Sequence, residues 1–149
     1  NMEIQIRRAT EADAVDAINT LHRSITELCI ADHQGNAQEL ENWLGNKTVE
    51  AWKKWIDRDD AVVFVADRDN RVVGVGMATL SGTILLNYVH PDVRFSGVSK
   101  AILAALEEEL RSYNVQHCRL ESTITAQPFY ERSGYNLESD NTSIHLKLL

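Results

Sequence analysis

The spacing of apolar residues changes period several times along this chain, and each change marks a boundary. From Ile4 the segment EIQIRRA alternates apolar and polar residues as a half-buried strand does. TEAD follows, with Thr10 placed as a helix N-cap and Asp13 three residues on. The period then lengthens: Ala14, Ile18, Leu21, Ile25 and Leu28 form one helical stripe, with Asp16, Arg23 and Glu27 turned outward. ADHQGN breaks that helix. As far as about Asp57, the positions of Leu40, Trp43, Leu44, Trp52, Trp55 and Ile56 predict one or two further helices, with Thr48 as a second N-cap.

From Ala61 the texture becomes β-branched. AVVFVAD, RVVGVGMATL and TILLNYVH are separated by RDN and SG, which predicts three successive antiparallel strands joined by hairpin turns. These runs are apolar on both faces, so helices must cover the sheet on both sides. Ser96 to Tyr113 then reads as one long helix. Val98, Ala101, Ile102, Ala105, Leu106, Leu110 and Tyr113 form its apolar face, and Lys100, Glu107, Glu108 and Arg111 lie opposite. After it come a short strand (QHCRLES), a short helix stopped by Gly134 (TAQPFYERSGY) and a last pair of strands (YNLES, SIHLKLL). The strands flanking the long helix are joined by it alone, so they are expected to run parallel with a right-handed crossover. The pattern is an α/β fold with a mixed, mostly antiparallel sheet.

Bulk properties narrow the function. A chain of 149 residues suits one domain, read here as residues 2–149 with Met2 as the natural start and Asn1 set aside. A net charge of -7 argues against nucleic acid or an anionic membrane as partner, while a small anionic ligand needs only a local basic patch. The two cysteines form no CxxC pair, which suits a reducing compartment. No apolar run approaches the roughly 18 residues of a membrane span, and the N-terminus lacks a signal-peptide core, so a cytoplasmic location is expected. Cys29 and His33 are four apart without further ligands nearby, and no metal site is expected. The oligomeric state stays open, a homodimer included.

The stretch VHPDVRFSGVSK carries the strongest chemical signal. A helix N-terminus leaves several amides unpartnered and carries partial positive charge, so it attracts anions. Gly97 and Ser99 leave those amides uncovered, the Ser96 and Ser99 hydroxyls add donors, and Arg94 and Lys100 flank them with full charges. The helix dipole alone would stabilise one phosphate by about 1–2 kcal/mol. The plainer reading of the same residues is Ser96 as an ordinary N-cap with no ligand.

This stretch resembles the coenzyme A loop of the GNAT superfamily of N-acetyltransferases. There a strand ending in Val-x-Pro runs into (Gln/Arg)-x-x-Gly-x-(Gly/Ala) at the head of a helix; here VHP ends at Pro91, and Arg94, Gly97 and Ser99 occupy the motif positions. AQPFYERSGY, Ala126 to Tyr135, is similar to a second superfamily segment, A-x-x-(F/L)-Y-x-x-x-G-(F/Y), and the opening IRRATEADA resembles its first strand and helix. Phe95 stands where many members have Gly, and Ser99 where Gly or Ala is usual. A non-glycine residue still presents its amide there if its φ is negative.

The resemblance implies a sheet whose fourth and fifth strands splay apart around acetyl-CoA. Asn87, Tyr88 and Val89 would line the pantetheine arm, and Arg94, Phe95, Ser96, Gly97, Val98, Ser99 and Lys100 would hold the pyrophosphate. It also implies direct transfer of acetyl to an amine in one site, with a backbone amide holding the carbonyl as charge develops on its oxygen. Tyr130 matches the tyrosine that commonly contacts the coenzyme's sulfur.

An amine of pKa near 10.4 costs about 4.6 kcal/mol to deprotonate at pH 7, so a base or water chain must take its proton. Glu121 is the first candidate for that base, although the plainer reading of it, as a solvated strand-end carboxylate, comes slightly ahead; Asp32, His33 and Glu27 are weaker ones. Trp43, Trp52 and Trp55 read as core before pocket, and Cys118 as a buried, inert thiol. The acceptor is read as a small-molecule amine or an exposed lysine. A non-catalytic acyl-CoA sensor and a protein-interaction module built on the Trp-rich helices are the rival readings.

Overall fold

Strand pairing is most extensive in the β-branched runs. In the computed structural model, which describes residues 3–140 and 142–149, β2 (Ala61–Arg68), β3 (Arg71–Thr79) and β4 (Thr83–Val89) form the expected antiparallel meander. Asn1 and Met2, the expected start, lie outside the described residues. The RDN turn places Asp69 and Asn70 at φ 54° and 63°, the left-handed pair that a tight hairpin needs. β1 (Ile4–Arg8) adds antiparallel to β2. β5 (His117–Glu121), β6 (Asn136–Leu137) and β7 (Ile144–Leu148) complete seven strands in the order β1-β2-β3-β4-β5-β7-β6. Among the described residues only β4 and β5 pair in parallel, as expected of strands joined by one crossing helix.

Helices cover both faces. On one side α1 (Ala14–Leu28) and α4 (Val49–Ile56) pack Leu21 and Trp52 against Val63, Val65, Val75 and Met77. On the other, α5 (Val98–Ser112) and α6 (Gln127–Arg132) set Ile102, Leu106, Leu110 and Tyr130 against Val62, Ala66 and Leu120. Each such buried side chain stabilises the fold by about 1.5–3 kcal/mol relative to exposure. The glycines of VVGVGMA explain how closely α5 approaches: a Cβ on Gly76 would lie 2.3 Å from Ile102 Cγ2, and one on Gly74 would lie 2.7 Å from Ile102 Cδ1.

The caps are where the sequence puts them. The Asp13 carboxylate accepts from the Thr10 amide at 2.8 Å and from both Arg7 terminal nitrogens at 2.8 and 2.9 Å, and a 3-10 turn at Glu11–Asp13 leads into α1. Thr48 Oγ1 accepts from the Ala51 amide at 3.0 Å. Two helices follow ADHQGN as expected, α3 (Ala37–Leu44) and α4, while the break itself holds one short helical turn, α2 (Ile30–His33).

The long helix departs from expectation at both ends and at one position in its middle. It begins at Val98, not Ser96: Gly97 takes φ 85°, and the Ser96 hydroxyl donates to the Val93 carbonyl instead of capping. Tyr113 lies beyond the last turn and is 54% exposed. Glu107, read as outward-facing, is buried, where its carboxylate accepts from Tyr135 Oη at 2.7 Å and pairs with Lys147 Nζ at 2.9 Å.

One irregularity organises everything that follows. Ile84 pairs with Ala78 and Leu86 with Met77, so Leu85 is an extra residue in β4. A bulge of this kind bends its strand and reverses the side-chain phase. Ile84 accordingly joins the α5 side of the core, whereas Leu86 and Tyr88 join the α1 side. Parallel pairing with β5 covers Thr83 and Ile84 and ends there.

Candidate active site

Beyond Ile84 the two central strands part, and among the described residues β4 has no ladder partner on its β5 side. The gap opens into a cleft of about 900 Å³, at the upper end of the size that holds small molecules and cofactors. Asn87, Tyr88 and Val89 line one wall, and Glu121 and Tyr130 line the other. The head of α5 closes one side, with Arg94, Phe95, Gly97, Val98, Ser99 and Lys100 all reaching the cleft. The structure therefore brings every residue of the expected constellation to one cavity except Ser96, whose hydroxyl is spent on Val93.

The amides of Phe95, Gly97, Val98, Ser99 and Lys100 find no acceptor among the described residues, the first helical bond being Ala101 N–H to the Gly97 carbonyl. Gly97 has nothing within 4 Å of where a Cβ would stand, so these amides are open to a ligand. Phe95 corrects an expectation: its φ is 64°, not negative. The left-handed region explains why glycine suits this place, and the amide is nevertheless free.

Asn87 and Tyr130 meet in the middle of the cleft. Asn87 Nδ2 donates to the Ser99 carbonyl at 3.3 Å, which leaves Oδ1 buried without a partner, an acceptor suited to a ligand N–H. Burial pushes the Tyr130 phenol well above its ordinary value, partly offset by the adjacent Asn87 side chain. Tyr88, partly buried on the α1 side, is raised to about 12, chiefly by loss of solvent.

Glu121 alone of the carboxylate candidates keeps a free oxygen. Its Oε2 accepts from Ser143 Oγ at 3.3 Å, and the residue stays exposed on the cleft wall. Asp32 is committed elsewhere: it accepts from the Ile124 amide at 2.6 Å and from Thr125 Oγ1 at 2.7 Å, tying α2 to the β5–α6 loop. Glu27 pairs with Arg23 at 2.7 Å. His33 is buried, with Nδ1 accepting from the Gly35 amide at 3.0 Å and Nε2 facing the Ile25 carbonyl at 3.1 Å, which assigns it a neutral core role.

Sequence reasoning missed Ser24, Leu28 and Cys29, which line the α1 end of the cleft, and Glu107 and Lys147 at the other end. Their spacing marks them only as helix or strand residues. Cys118 is buried, its Sγ 3.2 Å from Tyr135 Oη, whose one proton goes to Glu107, and burial raises its pKa. Trp52 is core, with Nε1 donating to the Thr10 carbonyl at 2.9 Å. Among the described residues no three His, Cys, Asp or Glu side chains gather as metal ligands, and no helix is long and apolar enough to cross a membrane.

A sheet parted at its centre, with a glycine loop heading the crossing helix, defines a class of acyltransferase fold. Residues 30–144 match the family model described as the acetyltransferase (GNAT) domain, and the chain belongs to that family. The PaiA N-acetyltransferase from Thermoplasma acidophilum, solved in complex with coenzyme A, superposes with a TM-score of 0.86 at 20% identity, covering 99% of this chain and all of that one. A GCN5-related N-acetyltransferase from Rhodopseudomonas palustris gives a TM-score of 0.87 at 18% identity, over 100% of this chain and 98% of the other. A Bacillus anthracis protein in complex with acetyl coenzyme A gives 0.59 at 17% identity, over 66% and 68% of the two chains. Among curated protein sequences the chain has no match.

Proposed function

We propose that this protein, as one domain over residues 2–149, transfers an acetyl group directly from acetyl-CoA to a primary amine bound in the same cleft. One observation carries the reading: β4 loses its parallel partner beyond Ile84, and its unpaired length lines the same cleft as the free amides heading α5. That juxtaposition fits a ligand with amide groups in one part and a pyrophosphate in another. The unpartnered β4 edge and Asn87 Oδ1 would take the amides, and the α5 head with Arg94 and Lys100 the phosphates.

Acetyl-CoA, when bound, supplies a thioester carbonyl open to attack. A β4 amide facing the gap would hold the carbonyl oxygen as charge develops on it. Glu121, directly or through water, would accept the amine proton, meeting the cost of about 4.6 kcal/mol for an ordinary alkylamine at pH 7. Tyr130 would return a proton toward the sulfur. The phenol is held protonated by burial, so its role is to donate late rather than to act as a base. The acceptor is a small-molecule amine or an exposed lysine side chain.

Calorimetric titration with acetyl-CoA tests the site, using the parent and the variants Gly97→Glu and Gly97→Gln. Both substitutions enter open space at the same positive φ, so they share the backbone strain and differ in charge. Micromolar binding by the parent, retained in part by the glutamine variant and lost in the glutamate variant, supports the reading, and thiol release with a panel of amines then tests turnover. A parent that does not bind acetyl-CoA overturns it.

A further inference from the structure

Phe95 has an exposure and a backbone conformation that core packing does not explain. Among the described residues it is the most exposed of the large hydrophobic side chains, at 92%, and it holds φ 64°, a left-handed region that strains a non-glycine residue. The Arg94 guanidinium carbon lies 4.4 Å from its ring centroid. Both residues line the cleft, next to the free amides at the head of α5.

We propose that the Phe95 ring, backed by Arg94, is a stacking platform for the adenine of acetyl-CoA. The inference rests on the coenzyme reading above and assigns the recognition of its nucleotide end. In coenzyme A the adenosine is joined to the pyrophosphate through the ribose 5′-oxygen, so a pyrophosphate held by the amides of residues 97–100 carries its purine into the neighbourhood of the loop. Phe95 is two residues before Gly97, and its left-handed backbone turns the ring out to solvent while leaving its own amide free. A bare aromatic face next to a phosphate cradle suits a planar base, and a guanidinium over an aromatic ring strengthens such a stack electrostatically. A flanking cation, Lys100, favours a polyanionic nucleotide over an apolar protein segment as the occupant.

Ligand truncation separates this role from the loop's other duties. Affinities for acetyl-CoA and for acetyl-phosphopantetheine, which lacks the 3′-phospho-AMP portion and so the adenine and one pyrophosphate phosphate, are measured with the parent, Phe95→Leu and Phe95→Tyr. Leucine shares the β-carbon strain at the positive φ, so the backbone penalty cancels. The expected result is a loss of about 5- to 100-fold for acetyl-CoA in Phe95→Leu, with acetyl-phosphopantetheine affinity unchanged within about twofold and Phe95→Tyr close to the parent. Upfield shifts of adenine H2 and H8 in the parent complex, absent with Phe95→Leu, would report the stack directly. Equal losses for the two ligands would assign Phe95 to loop shape alone, and no loss for either would leave the ring unused; both overturn the proposal. Failure of the parent to bind acetyl-CoA would instead overturn the coenzyme reading on which it stands.

Discussion

Replacing Gly76 with alanine tests how α5 is seated, and through α5 how the cleft is built. The new Cβ would stand 2.3 Å from Ile102 Cγ2 and 3.1 Å from Leu106 Cδ1, distances that require the helix or its side chains to move. Overpacking of a closed core costs about 1–3 kcal/mol. Removing a strand glycine returns about 0.5–1 kcal/mol of backbone entropy, leaving a net destabilisation centred on about 1 kcal/mol. For a chain of this size that lowers Tm by about 2–4 °C. Urea unfolding followed by tryptophan fluorescence gives the value, with the slope m unchanged. The decisive comparison is the double-mutant cycle. Ile102→Ala alone costs about 2–5 kcal/mol through the cavity it leaves, and in that background the Gly76→Ala methyl enters vacated space and becomes neutral or stabilising. The coupling should reach at least about 1 kcal/mol. A Gly76→Ala protein as stable as the parent, or an equal cost in both backgrounds, would refute the argument that close packing, rather than strand flexibility, explains this glycine.

Three further outcomes follow from the site and its surroundings. Tyr130→Phe should lower kcat by about 100-fold or less in a coenzyme-release assay, because a phenol is a poor donor to a thiolate by about 2 kcal/mol even before burial raises its pKa; complete loss of turnover with the fold intact would refute this. Arg7 holds the Asp13 carboxyl below its usual range, so the pair's stabilisation is present above about pH 4 and fades as pH falls below that value. Asp13→Asn should therefore be less stable at pH 7 and decline less steeply in acid, and the parent's slope retained in the variant would contradict it. Burial raises the Cys29 thiol to about 12 and the Cys118 thiol as well, so the native protein should resist an aromatic disulfide reagent at pH 8 while the urea-unfolded chain reacts at both thiols. With folded values raised, the thiols' contribution to stability is lost as pH climbs above about 8.5. Prompt reaction of one thiol in the native state would show that Cys29 is open to the cleft.

The meander, its RDN turn and the caps at Thr10 and Thr48 were legible because each depends on residues close together in sequence. The loop and Tyr130 were legible for a different reason, their resemblance to a known pattern, and the structure adds that they face one cavity. What escaped depends on partners far along the chain. Glu107 carries the spacing of an outward-facing residue, and only Lys147 and Tyr135, brought in by β7 and the end of α6, make its burial tolerable. Asp32 looked available as a base, and its use by Ile124 and Thr125 could not be read from residues 92 and 93 positions away. The bulge at Leu85 was hidden because TILLNYVH is apolar in both phases, so nothing in the run shows where the phase reverses.

That single extra residue divides the sheet. On one side stand β1 to β4, and on the other β5, β7 and β6; across the sheet they share the pairs at Thr83 and Ile84 and one bond from the Arg119 amide to the Gly82 carbonyl. The middle of the sheet is open along much of its length, and the two halves are joined chiefly through the core they share beneath α5. A ligand lying along the open edge of β4 would serve as the missing length of strand, so amide protection along that edge would report on filling of the cleft.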